Sequence, residues 1–262
     1  VKAITEEFHP SDTAALLGLL SGNEREAFME VIAHHFEPET LTYLDEEIRS
    51  EVMDALGTEK VAAALSELEV DDAVHVIEDM GKDEQTELLN AVEPEIRAEL
   101  EQGLAYPEES AGRFMRTSFI ALPEFWRVGD VIDHLRTQGD LPEDFYEIIV
   151  VDPRFKPAGT VMVSRVLQKP RETPLQEIMD KEVHPIRTHD DQEEVAHIFR
   201  RYGLVEAPVV NNAGRLVGVI TIDDVVDVIA EEEEEDYLRA GGVFDRDLHA
   251  GLWTTVMRRF PW

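Results

Sequence analysis

The sequence contains no cysteine. Disulfides, thiolate metal sites and cysteine nucleophiles are therefore excluded, and the chain fits a reducing compartment. Positive charge is scarce, with 24 Lys and Arg against 57 Asp and Glu, a net charge of −33. Such a surface repels nucleic acid and anionic lipid, and it attracts cations whose binding relieves its self-repulsion. The same acidity also reads as an aid to solubility or an adaptation to salt. There is no apolar run of about 18 residues, so no segment reads as a membrane-spanning helix. The opening "VKAITEEFHP" has no apolar core of a secretory signal. Walker A, GxSxG and GxGxxG motifs are missing, and the adjacent pair His34 and His35 lacks a zinc spacing. No acid/base pair stands out from the abundant carboxylates, so the chain reads as a non-enzyme.

What is present is 43% apolar residues, enough to bury real cores over 262 residues. Up to about Tyr106, five phrases recur: "EPETLTYL", "TEKVAAAL", "VDDAVHVI", "KDEQTELL" and "EPEIRAEL". Each opens polar or acidic and closes with apolar residues at helical spacing, and Pro38 and Pro94 suit first-turn positions. The last four start about twelve residues apart, so the pattern predicts one short helix and a turn per unit, stacked as a superhelix. "AYPEESAGRFM" (105–115) then reads as a linker.

Beyond it the pattern becomes β-rich and duplicates. "FYEIIVVDPRFKPAGTVMVSRVL" and "LVEAPVVNNAGRLVGVITIDDVV" each hold two strand-like runs around a turn. A shift of 59 places Asp152 on Asn211, Gly159 on Gly218, Val161 on Ile220 and Val166 on Val225. A helix precedes each, "VIDHLRTQG" and "EVAHIFRRYG", giving two α+β units. After the second unit, Asp223 to Asp236 holds nine acids, of which Glu231 to Asp236 are consecutive. On a helix Asp224, Asp227, Glu231 and Glu235 share one face, where like charges repel. Mg²⁺ is hard and keeps much of its water, so such a carboxylate row suits weak, water-mediated Mg²⁺ sites. It also reads as a plain solvated face.

"PVVNNAGRLVGVITIDDVVDVI" resembles a CBS-domain core, and CBS units come in tandem. The order of superhelix, "ESAGRFM", two CBS units and an acidic helix resembles the cytosolic half of MgtE-type magnesium channels. The resemblance implies a multidomain fold: an all-α superhelical domain, two α+β CBS domains and a C-terminal connecting helix. The expected boundaries are 1–106, 107–172, 173–230 and 231–262, with Gly241 and Gly242 a break in the last. A membrane part follows in that family, and "LHAGLWTTVMRRFPW", with Trp253, Arg258, Arg259 and Trp262, suits a membrane approach. The expected location is the cytoplasmic face of the cell membrane.

By the same resemblance, metal roles fall on Glu39, Asp71, Glu193, Asp224, Asp227, Glu235 and Asp236. Helix-start charge also accounts for Glu39, Asp71 and Glu193. His75 and Gly203 stand where the family can have acids. CBS units also bind adenosine nucleotides through Ser/Thr-x-x-Asp, the Asp taking ribose hydroxyls, which implies Thr221 and Asp224 as nucleotide-binding residues; Met162 and Arg165 replace them in the first unit. Capping of the next helix accounts for the same pair. The reading is a Mg²⁺-sensing regulatory region, homodimeric, that closes a pore when Mg²⁺ bridges acidic faces, with ATP as a further ligand. The alternative is a nucleotide-sensing CBS module of another transporter or enzyme.

Overall fold

Between residues 58 and 94 a helix restarts every twelve residues. The structure is a computed structural model describing residues 8–139, 141–142, 145–226 and 228–230. Its helical domain opens with α1 (Pro10–Leu19) and α2 (Gly22–Ile32), a 3₁₀ segment (Pro38–Tyr43) and α3 (Glu46–Leu56). The repeating part follows as α4 (Thr58–Leu65), α5 (Val70–Glu78), α6 (Lys82–Ala91) and α7 (Pro94–Leu104). Helices this short are marginal alone. They hold by a shared core that includes Leu17, Leu41, Leu65, Ile77 and Leu100, all fully buried.

One phrase departs from the helical expectation. "EPETLTYL" forms a 3₁₀ segment, not an α-helix, because it is six residues long and fixed at its first position by Pro38. Thr42 Oγ1 also donates to the Glu39 carbonyl at 2.8 Å, an alternative to an α-helical bond.

The duplicated half forms two three-stranded sheets of one topology. The first contains β1 (Ala121–Pro123), β2 (Glu147–Val151) and β3 (Pro157–Met162), in that order. The second contains β4 (Ile186–Arg187), β5 (Glu206–Val210) and β6 (Leu216–Thr221). In each, the first pair is parallel and the second antiparallel. Helix α8 (Val128–Thr137) lies between β1 and β2; α9 (Val163–Leu167) and α10 (Leu175–Ile178) follow β3; α11 (Gln192–Tyr202) lies between β4 and β5.

The shift of 59 holds at atomic detail. The register slips between Val150 and Val151 in one sheet and between Val209 and Val210 in the other. Asp152 Oδ1 accepts from the Arg154 and Lys156 amides, as Asn211 Oδ1 does from Ala213 and Arg215. Phe155 and Gly214 take the matching left-handed positions, with φ of 62° and 73°. Alternate residues of β2 serve two cores: Ile148 and Val150 face their own unit, while Ile149 and Val151 pack on Leu216 and Val219 of the other.

Most of the stretch 105–115, read from composition as a linker, is built into the second unit together with Arg116. The amides of Ala111 and Gly112 donate to the Asp190 and Thr188 carbonyls at 2.8 and 2.9 Å. Ala111 and Met115 are buried in the core beside Ile186 and Phe199. Arg116 then exchanges two backbone hydrogen bonds with Val219 of β6, at 2.8 and 2.9 Å. Gly218 permits this crossing, since a Cβ there would lie 2.7 Å from the Arg116 carbonyl oxygen and 2.8 Å from Met115 Sδ. Gly159 does the same for Asp180 in the first unit. Gly218→Ala is expected to lower unfolding stability by about 1–3 kcal/mol, as overpacking against backbone does. Chemical denaturation checks this, and an unchanged midpoint would show that the crossing relaxes freely.

Candidate functional site

The chain crossing at Gly218 aims the Arg116 side chain at the start of the next helix, where residues 222–226 are helical. Thr221 is the residue just before that helix. Asp224 Oδ2 accepts from Thr221 Oγ1 at 2.5 Å and from the Thr221 amide at 3.1 Å, as a third-position carboxylate does in a capping box. The other oxygen, Oδ1, accepts from Arg116 Nη2 at 2.8 Å, and the same Nη2 donates to Asp223 Oδ2 at 2.6 Å.

The helical domain supplies the opposite side. Helix α5 begins with Asp71 and Asp72 in its first turn, where the macrodipole favours negative charge. Asp71 is 7% exposed, its Oδ2 lies 3.5 Å from Arg116 Nε, and its Oδ1 has no hydrogen-bond partner. Ser118 Oγ donates to Glu69 at 2.8 Å, and Glu78 Oε2 lies 3.7 Å from Arg113 Nε. Three carboxylates, Asp71, Asp223 and Asp224, thus pair with one guanidinium where the helical domain meets the second α+β unit.

Proton affinities record the crowding. Burial, then the charges of Asp72 and Asp224, push Asp71 well above the usual carboxylate range, against the pull of Arg116. Burial likewise pushes Asp72 up to about 6, with Asp224 and Glu69 adding to it. Burial alone would lower the Arg116 pKa, but the hydrogen bond and charge of Asp224, with Asp71 and Asp223, hold it further above its ordinary value. A cleft beside this cluster is lined by Glu69, Arg116, Thr221, Glu147 and Glu206. Burial and then Glu147 push Glu206 up to about 7. Among the described residues, no three or more His, Asp or Glu side chains converge closely enough to ligate a metal directly.

Residues 8–109 match the model of the MgtE intracellular N domain, and residues 175–231 match that of the CBS domain. The magnesium transporter MgtE of Thermus thermophilus is 32% identical over 268 residues, covering all of this chain and 60% of that protein. A crystal structure of the cytosolic domain of the Mg²⁺ channel MgtE in complex with ATP matches with a TM-score of 0.77 at 32% identity, covering 86% of this chain and 92% of that one. The chain belongs to the MgtE family. MgtE of Bacillus subtilis is 25% identical over the whole chain and 58% of its own length. The chain therefore spans about 60% of these curated relatives. The soluble part of a magnesium transporter shares the fold, with a TM-score of 0.70 at 24% identity.

Of the residues that the MgtE resemblance singles out, Asp71 and Asp224 face each other across Arg116. Glu39 is exposed at the start of the 3₁₀ segment. Glu193 is exposed in the first turn of α11, where its amide donates to Asp191 Oδ1 at 3.0 Å. Neither belongs to the Arg116 cluster. Asp227, Glu235 and Asp236 lie outside the described residues, as does the connecting helix. Gly203, one of the two departures from the family's acids, caps α11 in the left-handed conformation with φ of 64°. His75, the other, has both ring nitrogens engaged. Nε2 accepts from Arg49 Nη1 at 2.9 Å, which leaves Nδ1–H to donate to Glu78 at 3.1 Å.

Sequence reasoning passed over Arg116, Asp72 and Glu69. Asp72 and Glu69 flank Asp71 and share its acidic signal, but Arg116 meets Asp224 across 108 residues. Glu206→Gln is expected to stabilise the fold at about pH 8 by up to ~3 kcal/mol. A carboxylate whose folded pKa is raised costs stability when charged, so the gain shrinks as pH falls through about 7 towards the ordinary value of 4.5. Thermal unfolding across that window checks it; a gain independent of pH would contradict it.

Proposed function

We propose that this chain is the Mg²⁺-sensing cytosolic region of an MgtE-type magnesium channel. The observation that carries the reading is Asp71, buried with one unpartnered carboxylate oxygen and facing Asp224 of the second CBS unit across a domain boundary. Carboxylates on both sides repel and favour separation of the helical domain from the CBS pair. Asp71 and Asp224 would hold a hydrated Mg²⁺ between them, with Glu39, Glu193, Asp227, Glu235 and Asp236 extending the set. Mg²⁺ bound there needs only to favour the closed arrangement over the open one. Several weak sites acting together make the response steeper than one alone, and closure of the region then shuts a pore formed by a membrane part at the cytoplasmic face.

A homodimer suits the same reading. Leu167 and Val226, related by the shift of 59, are 70% and 55% exposed on the helices that follow the two sheets. A partner subunit would cover both. ATP is a further proposed ligand, supported by the ATP complex of the related cytosolic domain. A ribose at Thr221 and Asp224 would have to compete with the Thr221–Asp224 hydrogen bond and with Arg116, which engage both Asp224 oxygens.

Small-angle scattering of the chain, titrated through millimolar Mg²⁺ at fixed ionic strength, tests the reading. The radius of gyration is expected to fall as Mg²⁺ rises, and Asp71→Asn is expected to reduce the change. A radius that stays constant in the unsubstituted protein would overturn it.

A further inference from the structure

Arg116 occupies the position that a cation would fill. Its Nη2 pairs with Asp223 and Asp224 of the second CBS unit, and its Nε faces Asp71 of the helical domain. One guanidinium therefore touches both sides of the boundary that is proposed to open and close. The residue is fixed rather than a passing surface charge, because its backbone is tied to Val219 on both sides and its side chain is 22% exposed. Three residues earlier Arg113, 11% exposed, faces Glu78 of the same helical domain.

The internal duplication gives a comparison within the molecule. The shift of 59 that relates Val219 to Thr160 relates the Arg116 bridge to the Asp180 bridge. The first unit thus places an acid where the second places an arginine. A basic residue is not required by the crossing itself; it is specific to the unit that faces Asp71.

We propose that Arg116 is a built-in counter-cation that holds the helical domain against the second CBS unit when divalent ions are scarce. This rests on the Mg²⁺-sensing reading for its regulatory meaning but not for its structural content. One positive charge offsets part of the repulsion among Glu69, Asp71, Asp72, Asp223 and Asp224, and the rest remains for divalent ions to relieve. Arg116 also engages Asp224 Oδ1 and Asp223 Oδ2, so a hydrated ion reaching those oxygens has to displace or share with it. The arginine raises compactness without metal and reduces the span of the metal response. A desolvated arginine suits this role because it stays charged and is weakly hydrated.

Scattering of the whole chain tests the proposal with Arg116→Gln, Arg116→Lys and, as a charge-matched control, Arg154→Gln at the exposed β2–β3 turn. In EDTA, Arg116→Gln is expected to enlarge the radius of gyration relative to the unsubstituted chain. Arg116→Lys should restore part of the difference, and Arg154→Gln should leave the radius unchanged. In millimolar Mg²⁺ all four are expected to converge, so the Mg²⁺-dependent change is largest in Arg116→Gln. Circular dichroism establishes that each variant is folded, and a folded Arg116→Lys carries the test if Arg116→Gln is not. Equal radii in EDTA for Arg116→Gln and the unsubstituted chain would overturn the proposal while leaving the Mg²⁺ response standing. An enlarged radius that Mg²⁺ fails to reverse would uphold the counter-cation and overturn the Mg²⁺-sensing reading instead.

Discussion

Repulsion between carboxylates across one domain boundary is the constraint on which this structure turns. Asp71 and Asp72 sit at the start of α5, a favourable place for acids within their own helix. Burial at the boundary makes the same place unfavourable, with Asp224 across the boundary adding to it, and the raised proton affinities of Asp71 and Asp72 are its signature. Local and global preferences conflict here, as they commonly do at functional sites. Arg116 resolves part of the conflict. The rest is what the proposed divalent ions would relieve.

The surrounding fold makes the conflict possible. Short helices stacked at twelve-residue intervals bring α5 to the edge of the helical domain. The duplicated sheets bring Thr221 and its following helix to the opposing edge. Between them, residues 109–116 are tied into the second unit, so the helical domain attaches through a segment that is itself part of the CBS pair. Gly218 controls how closely that segment approaches β6 and hence where Arg116 points.

Much of this was readable from sequence for identifiable reasons. The twelve-residue spacing and the shift of 59 are periodic, and periodicity survives in one dimension. Asp71 and Asp224 were visible as acids beside helix starts and through the MgtE resemblance. The 3₁₀ segment at Pro38 was hidden because its apolar spacing imitates an α-helix over so few residues. Arg116 was hidden because its charge partners are remote in sequence and its neighbours form a segment that composition reads as a linker. Thr221 and Asp224 illustrate a different limit: one Thr-x-x-Asp pattern serves a helix start and a ribose equally well, and Asp224 accepts from Thr221 here while the ribose role stays a proposal.

The central claim is that divalent ions draw the helical domain and the CBS pair together. Because the chain has no cysteine, spin labels can be placed by two substitutions alone, Glu84→Cys on α6 and Arg200→Cys on α11, both at exposed positions. Electron–electron distance measurements, with labelled protein diluted into unlabelled, then report the separation directly. The account predicts a broad, longer distribution in EDTA that narrows and shortens as Mg²⁺ reaches millimolar levels. A distribution that is the same in both conditions would contradict it.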